Sequence, residues 1–294
     1  MLKRGCGILL IVSVVLLSIL ALLPGADVDH DAGYTASELS IRETVDGSET
    51  STSYVNPAGL ITDAIDKGYA TVCRMRDDNG RVVEERYLDA SGNPVARYGD
   101  YYGLSYEYEE ASTVITYLDA KGNPMKRSAG YFIIVTTLEN GKAIDDFYYD
   151  AEGQRIQHIC GYYGFHREYD LDGQNFGITY LDKKGRTICS SAGYARVTYQ
   201  RDGNGTVVGE QYFDTEGNPA RSSLGQYGEL YQRNEQGYIS QITYLDLDGN
   251  PAPTNAGYVP IIETAQQIRI CILMRMATQR LCLKGSTASS AVVI

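Results

Sequence analysis

The sequence repeats itself about every thirty-two residues, and a period of that length limits the chain to stacked copies of one small unit. The segment YLDASGNP at Tyr87 returns in close variants that begin at Tyr117, Tyr148, Tyr180, Tyr212 and Tyr244. The turn glycines of these copies are 30 to 32 residues apart, at Gly92, Gly122, Gly153, Gly185, Gly217 and Gly249. A second landmark, a Gly-Tyr pair such as Gly130-Tyr131, keeps the same period. We therefore expect seven tandem units in residues 33–256.

Each copy of the motif has the chemistry of a tight turn. An aspartate at its first position can accept hydrogen bonds from the backbone of the turn, and a glycine three residues later tolerates the left-handed conformation that closes it. Most units carry another such turn, for example DDNG ending at Gly80 and DLDG ending at Gly173. We therefore expect each unit to alternate short strands with two turns.

The segments between the turns have the two-residue period of β-strands. In TVITYL, which begins at Thr113, alternation places Ile115 and Tyr117 on one face and Val114 on the other, so both faces are partly apolar. A chain with 25 Tyr, 31 Gly and no Trp also favours turn-rich β structure. The predicted fold class is all-β: an elongated tandem array of β-hairpin repeats after an N-terminal hydrophobic helix. Each unit should contact mainly its neighbours, with tyrosines in ladders across the strands.

The first 26 residues have the pattern of an export signal. Lys3 and Arg4 precede an uncharged apolar run from Gly7 to Leu23. Residues 1–26 are predicted to be either a cleaved signal peptide or an uncleaved signal anchor that tethers the chain to the membrane. Residues 27–32 would form a short linker. Either alternative places the repeats outside the cytoplasm, membrane-anchored or secreted.

The recurring Tyr-Asp-x-x-Gly segments resemble a known repeat. Tyr149-Asp150-Ala151-Glu152-Gly153 and Tyr169-Asp170-Leu171-Asp172-Gly173 are similar to the YD repeats of the RHS family. That resemblance implies strand-turn-strand units that build extended β-sheets, although the unit here is longer and no toxin core follows it. The Gly, Tyr and Asp content is also similar to cell-wall-binding repeats of Gram-positive surface proteins, whose aromatic residues hold sugars or choline. Those repeats use Trp, which this chain lacks.

The sequence offers no pattern for catalysis, a metal or a cofactor. Its histidines are His30, His158 and His166, and none lies in a hydrolase or metalloprotease motif. DLDG at Asp170 has the acids of a calcium loop, but with its glycine at the sixth position the twelfth is Thr179 instead of an acid. We therefore predict that the chain is not an enzyme and that it has no catalytic residues, no metal site and no cofactor. A net charge of -11 makes nucleic acid an improbable partner.

Two pairs of adjacent tyrosines are the candidate ligand-binding residues. DYYG contains Tyr101 and Tyr102, and GYYG contains Tyr162 and Tyr163. Neighbouring residues of an extended segment point to opposite faces, so one ring of each pair could remain exposed and stack on a sugar. The alternative is that all four rings pack in cross-strand ladders without a ligand.

Residues 257–294 depart from the rest of the chain. All 25 tyrosines lie at or before Tyr258, and ILMRMATQ, from Ile272 to Gln279, contains neither Tyr nor Asp. The codons for this segment can also be translated in a shifted frame that begins at the last base of the Cys271 codon. In that frame they can encode Tyr-Leu-Asp-Ala-Asp-Gly-Asn-Pro, which is the turn motif of the repeats. We therefore expect the start of an eighth repeat and then a frameshifted, non-native tail, which makes the chain a truncated fragment of a longer protein. The alternative is a genuine amphipathic helix that caps the last sheet edge.

These observations predict an exported, membrane-tethered bacterial repeat protein that acts as a structural or adhesive surface module. The alternative function is a glycan- or cell-wall-binding module, which could be the targeting arm of an enzyme whose catalytic domain is lost downstream. The expected partners are the membrane, through the N-terminal helix, and either cell-wall glycan or another surface protein.

Overall fold

The computed structural model describes residues 33–253 except Gln236 and Tyr238. These residues contain fourteen β-strands and one turn of 3-10 helix, Ala36–Glu38. The expected all-β repeat of hairpins is therefore confirmed. The predicted N-terminal helix, the linker 27–32 and the predicted eighth-repeat start and tail, 257–294, lie outside the described residues. Among the described residues, no helix has the length and apolar character that crossing a membrane requires.

The chain divides into two compact units, which share the ninth strand. The first unit comprises the described residues 33–159 and 163–166, and the second comprises 160–162 and those from 167 onward. The strands of the first unit are β1 (Ser40–Asp46), β2 (Glu49–Val55), β3 (Thr71–Arg76), β4 (Val82–Leu88), β5 (Gly103–Tyr108), β6 (Ser112–Leu118), β7 (Ile133–Glu139) and β8 (Lys142–Tyr149). Strand β9 is Gly164–Tyr169, and those of the second unit are β10 (Asn175–Leu181), β11 (Arg196–Arg201), β12 (Val207–Phe213), β13 (Gly228–Arg233) and β14 (Ile239–Leu245).

Within each unit, strands that follow one another in the chain pair antiparallel. An odd-numbered strand and the next even-numbered strand form a long hairpin, as β5 and β6 do from Gly103↔Leu118 to Tyr108↔Thr113. An even-numbered strand then pairs over a shorter length with the first strand of the next repeat, as at Arg86↔Gly103. The register thus repeats with the sequence period.

Each complete repeat has three turns, so the expectation of two was wrong. The first turn closes the hairpin, and the second is the Asp-x-x-Gly motif, where Gly92 N donates to Asp89 O at 3.0 Å. The third is the Gly-Tyr landmark itself, where Arg127 N donates to Tyr131 O at 2.8 Å. We call it the tyrosine turn. The residues before the Gly-Tyr pair differ from repeat to repeat, so the sequence alone does not show this turn.

Successive tyrosine turns are hydrogen-bonded to each other. In the first unit, Ile159 N donates to Ala129 O at 3.0 Å. In the second unit, Ser191 N donates to Cys160 O and Ser223 N donates to Ala192 O, both at 2.7 Å. These bonds satisfy backbone groups outside the strands and join three pairs of successive turns.

The core of each unit is a column of tyrosine rings. In the first unit, a tyrosine turn places its ring between the rings of two successive even-numbered strands, as Tyr101 does at 5.9 Å from Tyr87 and 5.0 Å from Tyr117. In the turn that begins at Ser222, Gln226 takes the place of the tyrosine. The column of the first unit contains Tyr54, Tyr69, Tyr87, Tyr101, Tyr117, Tyr131 and Tyr148. The column of the second contains Tyr162, Tyr180, Tyr194 and Tyr212. The predicted tyrosine ladders are confirmed.

Candidate functional site

The four candidate tyrosines fall into two structural classes. Tyr101 and Tyr162 belong to the columns and are only 4% and 5% exposed. Their buried rings therefore do not present a face to a ligand. Tyr102 and Tyr163 are half-buried, and each directly precedes an odd-numbered strand. They are the members of each pair that a sugar could reach, and ligand binding by them stays a prediction.

The column of the first unit also contains charge. Arg127 is the first residue of its tyrosine turn and is 2% exposed. Its guanidinium lies 4.5 Å from the ring centroid of Tyr117 and 5.0 Å from that of Tyr101. Asp100, from the preceding tyrosine turn, accepts a hydrogen bond from Arg127 Nε at 2.8 Å and forms an ion pair with Nη2 at 2.5 Å. Burial opposes the charge, but neighbouring Tyr131, Tyr117 and Asp100 outweigh it and raise the pKa of Arg127.

The turn that supplies Asp100 differs from the others in backbone conformation. Tyr98 and Gly99 have φ values of 55° and 70°, and Asp100 N donates to Arg97 O at 3.1 Å. Two successive positive φ values are typical of a type I′ turn, and a tyrosine there carries strain. The turn places the guanidinium of Arg97 5.1 Å from the Tyr98 ring centroid and the Asp100 carboxylate next to Arg127. The strain thus accompanies the placement of a buried charge pair.

The histidines have different surroundings. His158 is 2% exposed and lies in the column, 5.2 Å from the ring of Tyr148. His158 is therefore a core residue and not a surface residue. Burial, aided by the charge of Arg127, lowers the pKa of His158 to about 3. His166 is a cross-strand residue, and its Nδ1 lies 2.8 Å from Asp145 Oδ1. His30 lies outside the described residues.

The carboxylates of the turn aspartates accept hydrogen bonds from the backbone of their own turns. Asp119 Oδ1 accepts hydrogen bonds from the backbone N of Asn123 at 2.9 Å and of Lys121 at 2.8 Å, and these bonds lower the pKa of Asp119. Asp170, in the segment with calcium-loop acids, likewise accepts from Gln174 N at 2.8 Å. Within the part of the chain that the structure describes, no group of three or more His, Cys, Asp or Glu side chains is placed to hold a metal ion.

An open cleft in the described part of the second unit was not predicted from the sequence. It encloses about 60 Å³ beside Gly228, and we call it the glycine cleft. Its lining residues are Gln211, Tyr212, Phe213, Pro219, Tyr227, Gly228, Leu245, Asp246, Leu247 and Gly249. A sequence signal was present: Tyr-Gly pairs recur in every second repeat, at Tyr102-Gly103, Tyr163-Gly164 and Tyr227-Gly228. The first two of these pairs contain the half-buried candidate tyrosines.

Comparisons with known proteins assign no family. No protein-family model matches the sequence, and no curated protein matches it. Among solved structures, the chain is similar to a porin-like protein from Bacteroides uniformis, with 10% identity, covering 69% of this chain and 87% of that one, and a TM-score of 0.23. The hairpin repeats expected from the resemblance to YD repeats are present, whereas no family model supports a YD, RHS or cell-wall-binding assignment.

Proposed function

We propose that this chain is an exported bacterial surface protein whose repeats form a structural and adhesive scaffold without catalytic activity. The observation that carries the proposal is the recurrence of the same neighbour-to-neighbour contacts. Backbone pairing, tyrosine rings and hydrogen-bonded tyrosine turns link each repeat to the next. Such contacts stabilise an array in which each repeat supports its neighbours, which suits a scaffold.

The surface that this scaffold presents is polar and varies between repeats. The Asp-x-x-Gly turns of different repeats share their aspartate and glycine. The two residues between that aspartate and that glycine vary, as in Ala120-Lys121, Lys183-Lys184 and Leu247-Asp248. These two positions lie on the outside of the turn and are exposed in each of these three repeats. A scaffold that holds variable side chains in a regular spacing can contact a surface at several points, and several weak contacts then act together.

Export and tethering are inferred from the first residues of the chain. Lys3 and Arg4 before the apolar run orient it with its positive end in the cytoplasm. The repeats then follow on the outer side of the membrane, and retention of the apolar run would hold them there.

The test is expression of the full chain in a bacterial host with an epitope inserted at Lys121. Protease added to intact cells should remove the epitope, and cells that display the chain should settle faster from suspension than cells with an empty vector. A variant without residues 1–26 is the control and should stay inside the cell. Full protection of the epitope on intact cells would refute the surface location, and unchanged settling would refute the adhesive role.

Glycan binding is the second candidate function, and the half-buried rings of Tyr102 and Tyr163 favour it. Aromatic rings contact sugars through the apolar faces of both partners, so a partly exposed tyrosine that recurs in a regular sheet suits a glycan. The double variant Tyr102→Ala and Tyr163→Ala should bind purified cell walls more weakly than the native chain. Tyr34→Ala removes an exposed tyrosine outside these pairs and should bind normally. Equal binding of the double variant and the control would exclude a role for this pair.

A further inference from the structure

The glycine cleft lies where Gly228 faces an exposed glutamine across its strand pair. Gly228 in β13 pairs with Gln211 in β12, and Gln211 is exposed. Its Cγ lies 3.5 Å from the position that a Cβ on Gly228 would take. No atom lies within 4 Å of the corresponding position on Gly249, so the space above that glycine is open.

The equivalent position in an earlier repeat is filled by the protein itself. There Gly103 pairs with Arg86. The Cγ of Arg86 lies 3.6 Å from the Cβ position of Gly103, and its Nη2 reaches to 2.6 Å from the Cβ position of Gly122. Gly122 corresponds to Gly249 in the repeat. The guanidinium therefore covers the space that is empty in the glycine cleft.

A second glycine is covered by an aromatic ring. Gly164 pairs with Phe147, whose Cε1 lies 3.0 Å from the Cβ position of the glycine. The guanidinium of Arg155 stacks 3.5 Å from the centroid of that ring. A planar side-chain group, the guanidinium of Arg86 or the ring of Phe147, thus lies beside the glycine in two of the Tyr-Gly repeats, whereas the third has the amide of Gln211 and borders the glycine cleft.

The walls of the cleft combine apolar surface with unused polar groups. Four apolar residues line the cleft: Phe213, Pro219, Leu245 and Leu247. Leu247 is 58% exposed at a turn position, where contact with water does not stabilise an apolar side chain. Asp246 Oδ1 accepts from the backbone N of Asp248 at 2.9 Å and of Asn250 at 2.8 Å, which leaves Oδ2 without a hydrogen-bond partner among the described residues. The amide of Gln211 likewise has no partner there. Donors and acceptors beside apolar walls are what a ring with hydroxyl groups requires.

We propose that the glycine cleft binds one uncharged sugar ring of a glycan. The apolar face of the ring packs against Phe213 and Pro219, and its hydroxyl groups bond to the Gln211 amide and Asp246 Oδ2. Aspartates at 214, 246 and 248 and the net charge of -11 disfavour an acidic sugar. The proposal rests on the glycan-binding function above and gives it a site separate from Tyr102 and Tyr163. A cleft of this size supports weak binding, with a Kd on the order of 1 mM.

The first test fills the cleft with the side chain that fills it naturally elsewhere. Gln211→Arg imitates Arg86 at an exposed position, and Gln232→Arg adds the same charge at an exposed position of β13 that does not line the cleft. The probes are the methyl glycosides of glucose, N-acetylglucosamine and glucuronic acid, titrated into the full chain and followed by NMR. At least one neutral glycoside should bind, with glucuronate at least tenfold weaker. Gln211→Arg should reduce neutral-sugar binding at least tenfold, and Gln232→Arg should leave it unchanged.

The second test opens a new cleft. Arg86→Gln should expose the space between Gly103 and Gly122 and raise the number of bound neutral sugars by one per chain. Absence of binding by every glycoside, preferred binding of glucuronate, or equal binding by the two arginine variants would overturn the proposal. Gln211→Arg could lose sugar binding while cells that display this variant still settle quickly. That result would support sugar binding by the cleft and show that the scaffold function does not depend on the cleft. If sugar binding is normal but settling never occurs, the scaffold function fails alone.

Discussion

Arg127 shows how one residue can hold a charge inside a column of rings. Its guanidinium is 2% exposed and has the Asp100 carboxylate as its ionic partner. Asp100→Asn keeps the shape of the side chain but removes its charge, so a buried cation remains without a counter-ion. We expect a loss of about 3 kcal/mol or more in the free energy of unfolding, measured by chemical denaturation.

The control for this prediction is an exposed ion pair. Arg186 is 73% exposed and pairs with Asp182 at 2.7 Å, so Arg186→Ala should cost less than about 1 kcal/mol. Equal losses for the two variants would mean that Arg127 does not depend on Asp100 for its burial.

His158 gives the column a dependence on pH. Its pKa in the folded state is lowered from 6.5 to about 3, so between these values the unfolded state binds more protons than the folded state. The contribution of His158 to the free energy of unfolding is therefore greatest above pH 6.5. It falls as the pH is lowered, by up to about 1.4 kcal/mol per pH unit. Denaturation at pH 7, 6 and 5 should show this slope in the native chain.

The matched variant is His158→Ser, because Ser190 and Ser222 occupy the same position in later repeats. The variant should lose the histidine slope between pH 7 and pH 5, whereas His166→Gln, at a half-buried position, should keep it. A slope that survives in His158→Ser would show that other groups cause it.

At the scale of the element, the tyrosine turn needs glycine for two reasons, whereas the Asp-x-x-Gly turn needs it for one. Gly153 and Gly193 both have positive φ, at 76° and 92°. A Cβ on Gly153 would meet no atom within 4 Å, but a Cβ on Gly193 would lie 3.0 Å from Ser223 N and 3.1 Å from Arg221 O of the next repeat. Gly153→Ala should therefore cost about 1 kcal/mol from backbone strain, and Gly193→Ala clearly more.

Thermal unfolding of both variants, with Glu152→Ala as the exposed control, measures this difference. Glu152→Ala should change stability by less than about 0.5 kcal/mol. If Gly193→Ala is no worse than Gly153→Ala, the close approach of successive tyrosine turns does not constrain the sequence.

For the whole molecule, the repeats predict that a complete unit can be removed. Deletion of residues 103–132 joins Tyr102 to Ile133 and leaves an even-numbered strand followed by an odd-numbered one, as in the native chain. Because each repeat contacts mainly its neighbours, we expect a folded β-sheet protein whose melting temperature drops by a few degrees.

Deletion of residues 103–117 is the control, because it removes about half a repeat and breaks the alternation of the hairpins. That variant should lose cooperative unfolding, as followed by circular dichroism. Loss of folding in the whole-repeat deletion as well would contradict the equivalence of the repeats.

The sequence by itself determined the β-strands, the period and the chemistry of the Asp-x-x-Gly turns. These features are local: a two-residue alternation such as that from Thr113 to Tyr117 and an aspartate three residues before a glycine act through neighbours in the chain. The tyrosine ladders were also predictable, because a ring at one position of every repeat must meet its copies when the repeats pair in register.

Only the tertiary structure decided which tyrosines are buried and where the cleft lies. The sequence does not distinguish the adjacent rings of Tyr101 and Tyr102. Only the fold of the tyrosine turn places Tyr101 in the column. The burial of His158 and the pairing of Asp100 with Arg127 depend in the same way on contacts between neighbouring turns. Gln211 and Gly228 both line the cleft, although they are seventeen residues apart in the chain, because strand pairing places them opposite each other. Contacts of this kind join residues distant in the chain, so no local pattern reveals them.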